Sequence, residues 1–99
     1  MIIKIHEGSE RVNDVWSALS DGTRREILTM LRDRDMTAGE IADRFELSKA
    51  TVSHHLSILK QAGLITGEKK AQTITYRLNT TVFQDFMRSV ATLFHREGE

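Results

Sequence analysis

The chain contains no cysteine and no proline among its 99 residues. Without cysteine there is no disulfide, no thiolate metal site and no cysteine nucleophile. Without proline, repeats or low-complexity stretches, nothing marks an internal linker. Charge of a single sign is missing too: fourteen Lys and Arg balance fourteen Asp and Glu, so global charge names no partner. Long apolar runs are also absent. The opening "MIIKIHEGSE" holds a five-residue apolar patch broken by Lys4, too short for the apolar region of a signal peptide, and no segment approaches a membrane span. A cytoplasmic location without membrane insertion is the expectation.

The length suits one domain, 1–99, with one modest core. Within it the charge is unevenly spread. Residues 1–46 carry ten acids against seven Lys and Arg, whereas residues 47–99 carry four against seven. No acid occurs from Leu47 to Gly67. A neutral chain that concentrates positive charge locally is still drawn to a polyanion, because the local field steers association.

Val12, Val15, Trp16 and Leu19 have the spacing of an amphipathic helix, which spans residues 10–19. A second helix is predicted from Thr23 to about Arg32, with Ile27, Leu28 and Leu31 inward and Asp21 or Thr23 as its cap. "Thr37-Ala-Gly-Glu40" fits a capping box ahead of a short helix that buries Ile41, Ala42 and Phe45 and stops near Glu46. Ser48 then caps a longer helix with Val52, Leu56, Leu59 and Gly63 on one stripe, closed by that glycine. From Leu64 the period changes to two, giving a β-hairpin over 64–79 with a polar turn at Gly67 to Gln72. Asn79 to Thr81 caps a last helix, 81–96, whose stripe contains Val82, Phe83, Phe86, Val90, Leu93 and Phe94. The fold class is therefore mainly α with one small hairpin. The order helix, helix, helix, tight turn, helix, hairpin, helix describes a winged helix-turn-helix, with the helix-turn-helix over 37–63.

His54 and His55 stand side by side on the fourth helix. At roughly 100° per residue they diverge, and the positions four away are Ala50, Ile58, Thr51 and Leu59, so the pair does not make a zinc site. Adjacency of Ser53 and His54 in sequence does not make a nucleophile and its base, which must meet in space with an orienting group and an oxyanion site. Neither a metal, a cofactor nor an enzymatic activity is expected. The outward face comprises Ala50, Ser53, His54, Ser57 and Gln61, with Lys49 and Lys60 beside it. It is either a solvated face or a surface for a DNA groove: hydroxyls and lysines hold phosphates, His54 and Gln61 meet base edges, and Ala50 touches a thymine methyl. The short helix before it and the basic hairpin after it favour DNA. His55, at the border of the buried stripe, is assigned to packing and hydrogen bonding. Arg24, Arg25 and Arg77 are weaker phosphate candidates, since an arginine near acids such as Asp21 or Glu26 often forms only a surface ion pair.

"ALSDGTRREILTML", "MTAGEIADRFELSKATVSHHLSILKQAGLI" and "GEKKAQTITYRLN" resemble the arsenical-resistance-repressor (ArsR) family of winged-helix bacterial transcription regulators. The continuation "LNTTVFQDF" looks most like its cysteine-free, SdpR-like branch of autorepressors. The resemblance implies a homodimer that represses its own operon at an inverted repeat of double-stranded DNA. It also implies that Ser48, Lys49, Thr51, Ser53, His54 and Ser57 face DNA, with Lys69, Lys70 and Gln72 at the wing tip. Gly22 departs from the proline common in the family before Thr-Arg. "AGEIADRF" lacks the metal-binding cysteines of many members, and Asp85-Phe-Met87 lacks the histidine of the metal site on the last helix. Lone His95 reads as a helix-dipole contact. Metal sensing through these sites is therefore not expected, and the inducing agent is a small molecule, a regulatory protein partner or none.

Val12, Val15, Trp16 and Leu19, with Phe83, Phe86, Met87, Val90, Leu93 and Phe94, offer more apolar surface than so small a domain needs. They pack only on one another or, as the resemblance implies, form the dimer interface. The rival to a DNA-binding repressor is a winged-helix module that docks proteins and has little DNA specificity.

Overall fold

The computed structural model describes residues 14–94. Val12, His95 and the outer ends of the first and last expected helices lie outside them. Helix α1 covers described residues 14–19. Asp21, in extended backbone, accepts the Arg24 backbone N–H at 3.1 Å and starts α2, Gly22–Asp33. Ile27, Leu28 and Leu31 face the core as their spacing predicts. Strand β1, Met36–Thr37, ends in the expected capping box. Thr37 Oγ1 accepts the Glu40 N–H at 3.1 Å, and Glu40 Oε1 accepts the Thr37 N–H at 2.8 Å, which opens α3, Ala38–Asp43. Ile41 is buried there, whereas Ala42 and Phe45, expected inside, are half-buried at the rim of the core.

Helix α4, Lys49–Gln61, buries Val52, Leu56 and Leu59. Its end is a Schellman motif: the Leu64 N–H reaches Leu59 O and the Gly63 N–H reaches Lys60 O, both at 3.0 Å. That geometry puts Gly63 at φ +81° and delivers Leu64 and Ile65 into the core. Strands β2, Ile65–Lys70, and β3, Thr73–Leu78, form the wing.

Two differences from the expected hairpin stand out. The turn is narrower than Gly67 to Gln72, because Lys70 pairs with Thr73 and leaves only Ala71 and Gln72 to reverse the chain. Gly67 is a strand residue opposite Tyr76, where a Cβ would stand 3.2 Å from the Tyr76 ring and from Ile74 Cγ2. Further, β1 adds to β3, with Met36 opposite Tyr76, so the sheet has three strands in the order β1-β3-β2. Asn79 then ties its N–H to Leu64 O at 2.8 Å and caps α5, Thr80–Phe94, through its side chain. The ring of Trp16 stands edge-on to Phe86 at 5.1 Å, joining α1 to α5. Among the described residues no helix is long and apolar enough to cross a membrane.

Gly63 is held in the left-handed region, and an added Cβ would meet only Val82 at 3.9 Å. Gly63→Ala therefore costs backbone strain without a clash. It is expected to lower stability by about 1 kcal/mol, read as a fall in Tm of several degrees.

Candidate nucleic-acid interface

Ser48 Oγ accepts the Thr51 N–H at 3.1 Å and lies 2.9 Å from Thr51 Oγ1, so the start of α4 is capped by a pair of exposed hydroxyls. Lys49, Ala50, Thr51, Ser53, His54, Ser57, Lys60 and Gln61 are all exposed on this helix. Opposite them lie the buried Val52, Leu56 and Leu59. Lys69, Lys70 and Gln72 are exposed at the far end of the wing. Strand alternation sends Lys69 and Lys70 to opposite faces of β2. The two lysines thus bracket the wing tip.

The histidines separate as their helical positions predict. Their ring centroids are 6.0 Å apart with the planes tilted by 52°, and His54 is open to solvent. His55 turns inward: its Nδ1 lies 3.2 Å from Arg24 Nη1 and 3.9 Å from Asp21 Oδ2. An arginine only donates, so Nδ1 is the acceptor and the imidazole proton sits on Nε2. Among the described residues no group of three His, Asp or Glu side chains is placed to hold a metal ion.

Arg24 corrects the surface ion-pair reading. It is 9% exposed, and its guanidinium donates from Nε to Ala18 O at 2.8 Å and from Nη2 to Ser17 O at 3.2 Å. One signal in the sequence points there. Arg24 lies three, four and seven positions before Ile27, Leu28 and Leu31, on the buried stripe of α2. Arg25 donates to Leu19 O at 2.8 Å, and Arg77 is paired with Asp35 at 3.1 Å. Their charges are partly committed within the fold.

On the apolar side, Val15 and Phe86 are buried within the chain's own core, so neither has surface to offer a partner. Leu19, Phe83 and Val90 are half-buried. Trp16 and Met87 are exposed, and Leu93 and Phe94 are 72% and 76% exposed.

The family model described as "Bacterial regulatory protein, arsR family" matches residues 21–66, from the cap of α2 to the first residues of the wing. The transcriptional repressor SdpR of Bacillus subtilis is 57% identical over 74 residues, which are 75% of this chain and 82% of that protein. The chain belongs to the arsR family. Its members and relatives are transcriptional regulators, not enzymes. The transcriptional activator HlyU of Vibrio cholerae is 32% identical over 93 residues, 94% of this chain and 82% of its own length. In three dimensions this ArsR-family chain superposes on a homodimeric winged helix-turn-helix DNA-binding domain from Mycobacterium bovis, described as a possible ArsR-family regulator. The TM-score is 0.76 at 26% identity, covering 97% of this chain and 94% of the other.

The backbone N–H of Arg24, and beyond it the nearby Arg24 guanidinium, hold the Asp21 carboxyl below its ordinary range. A depressed carboxyl contributes stability that is complete above its unfolded value and disappears as pH falls through its folded value. Urea midpoints are expected to drop between about pH 5 and pH 2, less steeply for Asp21→Asn, which keeps a capping side chain without the titration.

Proposed function

We propose that this chain is a sequence-specific DNA-binding transcriptional repressor that acts as a homodimer in the cytoplasm. The observation that carries the reading is the outward face of α4: capped at its start, free of acids, exposed at every polar position and flanked by the lysine-tipped wing. In a major groove, Ser53, His54 and Gln61 meet base edges and Ala50 meets a thymine methyl, while Ser48, Thr51 and Ser57 bond phosphates. Lys49, Lys60, Lys69 and Lys70 supply the salt-dependent share of affinity, and Gln72 follows the wing along the backbone. The 57% identity to a transcriptional repressor supports repression as the direction of control.

Trp16, Met87, Leu93 and Phe94 are the apolar groups left for a second copy, with Leu19, Phe83 and Val90 at their margin. Val15 and Phe86 hold that face from beneath. A two-fold pair sets its recognition helices about 34 Å apart, one DNA turn, and so reads an inverted repeat. The operator is placed upstream of the chain's own gene, in keeping with its ArsR-type resemblance.

Titration against a duplex from that upstream region and a scrambled duplex, each at several salt concentrations, tests the reading. Tight, salt-steep binding to the native duplex alone is expected, whereas weak, salt-insensitive binding to both would leave the protein-docking module. Lys70→Ala is expected to weaken both duplexes and reduce the salt slope by about 1. His54→Ala is expected to relax selectivity by about 1–3 kcal/mol with little effect on the scrambled duplex. For the dimer, Phe94→Glu places a charge on the apolar face, and sedimentation is expected to find it monomeric at concentrations where the parent chain is dimeric.

A further inference from the structure

Arg24 is the only charged side chain buried among the described residues, and the DNA-contacting surface makes no use of it. Its three branches go to two other elements. Nε and Nη2 meet the carbonyls of Ala18 and Ser17 at the end of α1, and Nη1 meets His55 Nδ1 on α4. The last carbonyls of a helix carry its partial negative charge. The guanidinium is compensated by two α1 carbonyls, that of Ala18 and that of Ser17, which also takes the Ser20 N–H at 3.2 Å and Ser20 Oγ at 2.6 Å, while Asp21 Oδ2 lies 3.9 Å from His55 Nδ1.

We propose that Arg24 and His55 are positioning residues for DNA reading, their hydrogen bond joining the end of α1 to α4 and setting the rotation at which α4 presents Ser53 and His54. The inference rests on the DNA-binding reading and deepens it. A helix with its side chains has a radius of about 5–6 Å, so a roll of about 10° moves a side-chain tip by about 1 Å. That displacement exceeds the whole range of hydrogen-bond lengths. The apolar contacts of Val52, Leu56 and Leu59 are non-directional and tolerate such a roll, whereas a guanidinium fork fixed on two carbonyls does not.

His55 is next to His54 in the chain, so the residue that is held and the residue that reads move together. The same joint reaches the apolar face. Trp16, exposed on α1 and packed on Phe86 of α5, immediately precedes the Ser17 and Ala18 carbonyls that Arg24 grips. A second copy that orders α1 through Trp16 thereby also orders α4.

The test compares full-length wild type, Arg24→Leu, His55→Leu, the double variant and His55→Gln. Each is titrated with a duplex recovered by selection on wild type from a random pool and with a scrambled duplex, and the folded fraction is followed by circular dichroism at the binding temperature. Each Leu variant is expected to lose about tenfold in the ratio of the two affinities, with scrambled-duplex affinity unchanged and the double variant no worse than either single. His55→Gln, whose amide oxygen replaces the imidazole acceptor, is expected to recover most of the ratio. A merely structural role lowers the folded fraction, moves both affinities together and shows no rescue. If Arg24→Leu does not fold, the contrast between His55→Leu and His55→Gln decides. Wild-type selectivity in His55→Leu, or equal losses in His55→Leu and His55→Gln, overturns the proposal alone. A wild type from which no selective duplex is recovered overturns the DNA-binding reading and this proposal with it.

Discussion

Val52, Leu56 and Leu59 occupy one stripe of α4 and share the core with Ile27, Leu28, Ile41 and Leu64, so the burial of three side chains dictates what the opposite face presents. Each such side chain contributes about 1.5–3 kcal/mol when withdrawn from water. Turning the helix by one residue would bring Ser53, Ser57 and Lys60 into their places. Two hydroxyls and an ammonium without partners in an apolar core would cost a large share of a net stability of about 5–15 kcal/mol. The polar, acid-free face is thus a consequence of packing as much as of composition. Caps at both ends, Ser48 at the start and Gly63 at the finish, keep the helix from extending and carrying its register elsewhere.

Apolar packing fixes which face is outward but leaves the last few degrees soft. Directional bonds supply them. The Arg24 guanidinium is held by two carbonyls of α1 and reaches across to His55, separated from it by 31 positions in the chain. A cation at the C-terminal end of a helix is electrostatically favourable, which helps to offset the burial of the Arg24 charge. Because α1 also carries Trp16, the exposed apolar surface and the outward face of α4 share one connection.

The two surfaces of the chain divide its chemistry cleanly. One is apolar, around Trp16, Met87, Leu93 and Phe94 on α1 and α5. The other is polar and locally basic, on α4 and the wing. With a net charge of zero, this chain relies on where its lysines stand, and among the described residues Asp14, Asp21, Glu26, Asp33, Asp35, Glu40, Asp43 and Glu46 all lie outside α4 and the wing. Asp35 pairs with Arg77, and Glu40 is drawn into the capping box of α3, which commits both carboxylates within the fold.

Local patterns were sufficient for what repeats locally. The stripes of α2, α4 and α5, the capping box at Thr37 and Glu40, the cap at Ser48, the glycine at the end of α4 and the opposed settings of His54 and His55 all follow from bonds and periods within a few residues. That is why the winged helix-turn-helix and the outward face of α4 were legible in the sequence. Features decided by partners distant in the chain were not. Met36 becomes a strand only because Tyr76 lies beside it, and two residues carry no period to announce it. The wing turn contracts to Ala71 and Gln72 because Gly67 and Glu68 find partners across β3. Val15 and Phe86 withdraw into the core although their stripes read as open surface. Arg24 goes furthest against its type: its spacing puts it on the buried stripe of α2, but only the arrival of the α1 carbonyls and His55 around it makes burial of the charge the lower-energy state.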